Sequence, residues 1–295
     1  MAQDSLAYLD GTFLPLAEAC VPALDRGFLF GDAVYEVIPA YGGRLFRLEE
    51  HLARLGHSLD ETRIPQPLTR EAWQEVLSTL VARNGGGDLS VYLQVTRGVT
   101  PRRDHAFGPE LTPTVFAMTS ALEPPPAGAR EQGVAAVTCD DIRWRRCDIK
   151  ATTLLANVLL RQQAVDAQAQ EAILVRDGQA VEGAASNLFI VRAGVLATPP
   201  KGPALLPGIT RDLLLELAEA EGMPFEERAI PAATLAEAEE IWLTSSTKEI
   251  LPVTRLDGRI VGTGRPGPAW RRMFAWFQNY KARLRRGEPD RAARG

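Results

Sequence analysis

DDIRWRRCDIKATTLLANVLLRQQAV, residues 140–165, contains one lysine, Lys150, in a chain that otherwise prefers arginine. Only four lysines (Lys150, Lys201, Lys248 and Lys281) stand against 29 arginines in 295 residues. An amine can lose its proton when desolvated and condense with an aldehyde, whereas a guanidinium stays charged. Downstream of it, TTLLANVLLRQQAV spaces leucines and valines three and four apart, which predicts an amphipathic helix packed on a core. Lys150 therefore sits where a loop or strand enters a helix. Taken alone, such a lysine is most simply a solvated one, and its meaning depends on the rest of the chain.

Working C-terminally, AILVRDG (172–178) and SNLFIVRAG (186–194) predict strands, with an Asp177-Gly178 turn between them. Glu182 precedes a Gly-Ala-Ala-Ser turn. It could be a plain turn acid, but beside an aromatic aldehyde with a ring nitrogen it would favour the protonated ring and make it an electron sink. In LLPGITRDLLLELA, Gly208 permits close backbone approach, and Ile209 and Thr210 open a helix whose first amides could face a phosphate. Thr210 could equally cap its own helix. The hydroxyl run Thr244, Ser245, Ser246, Thr247 could complete a phosphate cup. GPAWRRMFAWFQNY (267–280) predicts a terminal helix with a frayed, Arg-rich polar end.

Working N-terminally, GVAAVTCD (133–140) predicts a strand, and EPPPAGAR (123–130) can continue neither strand nor helix. It divides a domain at 1–122 from one at 131–295. Two hairpins are predicted before it, LAYLD–TFLPL around Asp10-Gly11 and VYEVIPAY–RLFRL around Gly42-Gly43. Helices follow at 47–63 and 69–85, then strands at 88–98 and 112–122, joined by the polar loop VTPRRDHAFGPEL. The fold class is mixed α/β in two domains.

A formal charge of −4 with interspersed signs excludes a general nucleic-acid binder. Cys20, Cys139 and Cys147 are odd in number and lack C-x-x-C spacing, which predicts reduced thiols, a reducing compartment and no zinc site. No apolar run reaches the length of a membrane span, and the N-terminus lacks a basic, apolar leader, so the expected location is the cytoplasm.

DRGFLFGDAVYEV (25–37), EEHLARL (49–55), YLQVTRG with PRRDHAFGP (92–109), DIRWRRCDIK (141–150), EAIL (171–174), VEGAASNLF (181–189), PGITRD (207–212) and TSSTKEILPV (244–253) together resemble the D-amino-acid aminotransferases. These are fold-type IV pyridoxal-phosphate enzymes related to branched-chain aminotransferases and aminodeoxychorismate lyases. The resemblance implies a small N-terminal α/β domain, a C-terminal pseudo-barrel domain and pyridoxal 5'-phosphate as cofactor. It implies that Lys150 holds the cofactor as a Schiff base and moves the substrate Cα proton, with Glu182 on the ring nitrogen and Leu206 packed against the ring. Arg54, Ile209, Thr210 and Ser246 match the phosphate contacts. Tyr35, Arg103 and His105 match a substrate-carboxylate trio, the last two supplied by the partner in a homodimer. The implied reaction moves an amino group between a D-amino acid such as D-alanine and a 2-oxo acid such as 2-oxoglutarate. A branched-chain L-aminotransferase or an aminodeoxychorismate lyase would share Lys150 and Glu182, but PRRDHAF and Tyr35 favour the D-amino-acid group. An (R)-selective amine transaminase would need no carboxylate trap. Three features depart from the family: Arg102 and Arg103 are adjacent, Ala184 and Ala185 stand where serines are usual, and Lys248 replaces a small polar residue.

Overall fold

A computed structural model describes residues 5–123, 125 and 128–288; the first four residues, part of the proline-rich stretch and the last seven residues lie outside them. Among the described residues, 5–123, 149–154 and 284–288 form one compact unit and 125, 128–148 and 155–283 a second.

The first unit opens with β1 (Leu6–Leu9) and β2 (Thr12–Pro15), an antiparallel hairpin. Its turn puts Asp10 at φ 44° and Gly11 at φ 92°, left-handed positions that an Asp-Gly pair accepts and most residues resist. A short helix missed by pattern, α1 (Arg26–Phe30), is capped by Asp25, whose carboxylate accepts from Gly27 N at 2.7 Å. The second expected hairpin joins β3 (Ala33–Tyr41) to β4 (Arg44–Leu45). Helices α2 (Leu48–Thr62) and α3 (Arg70–Arg83) follow, the latter capped by Thr69 as its sequence predicts. With β5 (Leu89–Thr96) and β6 (Thr114–Ala121), the sheet runs β2-β1-β6-β5-β3-β4, antiparallel throughout. Val34, Ile38, Val91 and Leu93 pack with Leu55, Leu59, Trp73, Leu77 and Leu80 in one core. Each such burial contributes about 1.5–3 kcal/mol.

Because β4 is only two residues long, the edge of β3 at Ala33–Tyr35 is open, and residues 149–152 fill it. Tyr35 N donates to Lys150 O at 3.0 Å, Ala151 bridges Val34, and Thr152 N donates to Ala33 O at 3.0 Å. Ile149 enters the first core. Lys150 is thus fixed by backbone bonds to β3.

The second unit contains α4 (Ala129–Gln132), β7 (Val134–Asp140), α5 (Leu155–Asp166), β8 (Glu171–Arg176), β9 (Gln179–Gly183), β10 (Asn187–Arg192) and β11 (Val195–Thr198). It continues with α6 (Ile209–Ala220), β12 (Phe225–Glu227), β13 (Ile230–Pro231), β14 (Glu240–Ser245), β15 (Glu249–Leu256), β16 (Arg259–Ile260) and α7 (Pro268–Arg285). Its ten strands run β12-β11-β10-β14-β15-β7-β8-β9-β13, with β16 on β15. An extra pairing of Glu182 with Asn187 joins β9 to β10 and closes six strands into a ring, the expected pseudo-barrel.

Two local expectations need correction. The Asp177-Gly178 turn leads not straight to SNLFIVRAG but into β9, so Glu182 stands near the end of a strand rather than in a loop. The helix after Lys150 begins only at Leu155, and it buries Leu160 and Ala164 while leaving Leu155 73%, Val158 60% and Leu159 52% exposed. Its apolar stripe exceeds what this one chain covers.

Candidate active site

In the first unit, β3 alternates. Val34, Glu36 and Ile38 are fully buried, whereas Tyr35 on the other face is only partly so. A carboxylate in phase with core residues must be paired. Helix α2 supplies the partners, His51 and Arg54, and carries Ser58 at a spacing that shares their helix face. Arg54 Nε donates to Glu36 Oε1 at 2.8 Å and its Nη2 to Oε2 at 2.7 Å, and His51 Nδ1 lies 2.7 Å from the same Oε2. Burial would raise the Glu36 carboxyl, but the Arg54 charge and these bonds hold it well below the ordinary range. Burial pushes His51 down, as do the charges of Arg54 and Lys150, and this outweighs Glu36. His51 Nε2 is buried with no hydrogen-bond partner. Ser58 Oγ accepts from Lys150 N at 3.1 Å, and Lys150 Nζ lies 4.1 Å from the Tyr35 ring centroid. The amine therefore faces an aromatic surface on a mount fixed at both its amide and its carbonyl.

The loop after β5 carries Arg102, Arg103 and His105, all exposed. Arg102 leans toward Asp104 (3.6 Å) and its side chain is 83% exposed. Arg103 instead lies over the Phe30 ring (4.9 Å), against which the His105 ring also packs at 5.1 Å.

In the second unit, Glu182 is 3% exposed. Its carboxylate pairs with Arg143 Nη1 and accepts from Asn187 Nδ2 at 3.2 Å and from Leu206 N at 3.2 Å. Burial dominates and raises the Glu182 carboxyl to about 7, against the downward pull of Arg143 and Leu206. Arg143 stays charged because Asp141 grips it through two bonds of 2.9 Å, and Asp141 in turn pairs with Arg176 at 2.8 Å. Asn187 Nδ2 also donates to Leu206 O at 2.8 Å, so a single amide ties the carboxylate to the loop before α6. Gly208 caps that helix with no side-chain bond, and a Cβ there would strike the Asn187 side-chain oxygen. The first α6 amides therefore take no cap from the Gly208 position.

Two hydroxyls, Thr210 Oγ1 and Thr244 Oγ1, are buried without hydrogen-bond partners. Ser246 lies in the turn between β14 and β15, partly exposed. That turn is braced by Lys248, whose N donates to Ser245 Oγ at 3.2 Å and whose Nζ pairs with the buried Glu171 at 3.3 Å. Glu171 also accepts from Ser186, the one hydroxyl in Ala184-Ala185-Ser186. The unusual lysine is thus answered by a carboxylate. A helix start, orphaned hydroxyls and a buried carboxyl near 7 fit a phosphorylated cofactor with a basic ring nitrogen.

Pattern reading missed Glu36, His51, Arg143 and Asn187, whereas Thr244 belongs to the hydroxyl run already singled out. Glu36 was detectable as an acid in the apolar phase of a strand, and His51 with Arg54 as an i,i+3 pair on a helix. Arg143 was hidden in a basic run that also contains Arg145 and Arg146.

The class IV amino-transferase family model matches residues 33–256. D-alanine aminotransferase of Bacillus licheniformis is 43% identical over 270 residues, covering 92% of this chain and 95% of that protein. Among solved structures, the Escherichia coli branched-chain amino acid aminotransferase superposes with a TM-score of 0.89 at 27% identity, covering 94% of each chain. The branched-chain amino acid aminotransferase of T.th. with pyridoxamine 5'-phosphate gives 0.87 at 26% identity and 95% of each chain. With a family match across most of its length and a relative this similar end to end, the chain belongs to the class IV aminotransferases.

Proposed function

We propose that this enzyme transfers the amino group between a D-amino acid, such as D-alanine, and a 2-oxo acid, such as 2-oxoglutarate, using pyridoxal 5'-phosphate. The D-amino-acid reading rests on D-alanine aminotransferases being 38–43% identical over nearly the whole chain, against 26–27% for these two branched-chain structures. The cofactor reading is carried by Glu182, a buried carboxyl raised to about 7 and so matched to sharing a proton with a pyridine nitrogen. When bound, the cofactor supplies a carbonyl that takes up the amino group and a ring that accepts the electrons left at Cα.

The chain supplies the rest. Lys150 holds the cofactor covalently, and its amine, once displaced, carries the Cα proton. Glu182 keeps a proton on the ring nitrogen, and Arg143 and Asn187 orient that carboxylate. Leu206 packs against the ring. Arg54, aligned by Glu36, serves the phosphate with the amides of Ile209 and Thr210, the hydroxyl of Ser246 and the two orphaned threonine hydroxyls. Tyr35, Arg103 and His105 bind the substrate carboxylate, the latter two from the partner of a homodimer. The exposed leucines and valine of α5 support that dimer. Three free thiols accord with a location in the reducing cytoplasm. Among the described residues, no helix is long and apolar enough to cross a membrane.

The direct test is borohydride reduction of the yellow holoenzyme followed by peptide mapping. The cofactor adduct is expected on the peptide containing Lys150; an adduct on Lys201, Lys248 or Lys281 instead would overturn the assignment.

A further inference from the structure

The loop bearing Arg103 and His105 is exposed on its outer side, yet one buried side chain grips its backbone. Arg26, on α1, is 3% exposed. Its Nη1 donates to Asp104 O at 2.6 Å and to Ala106 O at 3.4 Å, and its Nη2 donates to His105 O at 3.0 Å. Three consecutive carbonyls around His105 are thus held by a single guanidinium. Arg26 is itself fixed, since its Nε donates to Asp32 Oδ2 at 2.7 Å. Asp32 receives Arg97 as well, at 2.7 and 2.9 Å, and Arg97 caps the end of α2 through Thr62 O at 2.7 Å and Arg63 O at 2.9 Å. Burial would raise the Asp32 carboxyl, but the bonds and charges of Arg97 and Arg26 lower it, so it remains an anion between two cations.

The same cations seat the far end of the loop. The Phe107 ring has Arg97 at 3.7 Å, Arg63 at 5.3 Å and Arg26 at 5.8 Å from its centroid, a threefold cation–π arrangement. At the near end, the Phe30 ring is shared by Arg26 at 4.8 Å and Arg103 at 4.9 Å. A guanidinium suits this place because its fork reaches Asp32 in one direction and the carbonyls in another, which a single ammonium cannot do.

We propose that Arg26, seated on Asp32 and assisted by Phe107, is a positioning residue for substrate recognition, holding the 103–107 backbone so that Arg103 and His105 present a preformed carboxylate trap. This rests on the reading of Arg103 and His105 as carboxylate binders. A preformed trap spares the substrate the cost of ordering the loop, so loosening the clamp weakens binding while the chemistry at Lys150 proceeds as before.

The test compares Arg26→Lys, Phe107→Ala and Phe107→Tyr holoenzymes by cofactor absorbance, amide hydrogen exchange over 102–108, and KM and kcat for D-alanine at saturating 2-oxoglutarate. Arg26→Lys and Phe107→Ala are expected to leave the absorbance unchanged, speed loop exchange, and raise KM roughly tenfold with kcat within about twofold. Phe107→Tyr is expected to behave as wild type. If Arg26→Lys does not fold, Phe107→Ala decides, because its ring is partly exposed and its loss strands no buried charge. Unchanged loop exchange overturns the proposal, as does a loosened loop with unchanged KM, or a loss confined to kcat. Arg103→Ala, His105→Ala and Arg102→Ala separate the two layers. If Arg103→Ala and His105→Ala leave KM unaltered, the trap itself is wrong. If they raise it while the clamp variants do not, only the clamp fails.

Discussion

At the scale of the residue, Glu182 is where burial, charge and hydrogen bonding oppose one another most directly. Burial raises its carboxyl to about 7, although Arg143, Asn187 and Leu206 all stabilise the ionised form. A protonated ring nitrogen in the same place would complete the ionised carboxylate, so Glu182→Gln is expected to bind cofactor but to lose at least ~100-fold in turnover. Unchanged turnover would show that the ring proton is held elsewhere. The cofactor-free protein gives a second readout with a fixed sign. A carboxyl whose folded value of about 7 lies above its unfolded value near 4.3 favours folding below the lower value and loses that contribution as pH rises through about 7. Glu182→Gln removes the dependence. By urea unfolding, the cofactor-free variant is expected to exceed wild type in stability at pH 8 by up to about 4 kcal/mol and to match it near pH 4. Glu36 illustrates the contrast: it is equally buried but bonded by both Arg54 and His51, and it stays ionised. Removing one partner of that cluster would cost about 3–5 kcal/mol, by leaving a buried charge unanswered.

At the scale of the element, the legible parts were those that turn chemistry or period marks locally. Asp10-Gly11 and Gly42-Gly43 announced their hairpins, and Thr69 announced the start of α3. QAVEG was less plain. Asp177-Gly178 marks the turn before it, but a polar residue at each end of its apolar pair hides its extent, and β9 is defined by its pairing with β8 and, at Glu182, with β10. Helix α5 was recognised by period, but period cannot say what covers a face. Leu155, Val158 and Leu159 are exposed in the single chain, and a second copy is the cover proposed here. Because these side chains make little of the chain's own core, Leu155→Glu with Val158→Glu is expected to leave the fold intact. Light scattering is expected to show the mass of one chain instead of two, with a large fall in kcat/KM as the partner's Arg103 and His105 are lost. A variant that remains dimeric would move the interface off α5.

At the scale of the whole molecule, the order of the chemistry-bearing segments along the chain was enough to place it in its family, while the physical reason for their order was not readable from the line. Residues 149–154 belong with the first unit although the chain on either side of them belongs to the second. The cause is the short β4, which leaves an edge of β3 for Lys150's segment to fill. Long-range pairs of this kind, such as Glu182 with Arg143 across 39 residues, carry no local signature. The enantiomer that the assembled enzyme accepts decides its function. The deciding measurement is a steady-state panel of D- and L-amino acids with 2-oxoglutarate on the holoenzyme. The expected result is a kcat/KM for D-alanine above those for L-alanine, L-valine and L-leucine by about a hundredfold or more, the size of two to three kcal/mol of differential contact. Preferential turnover of the branched L-amino acids would contradict it.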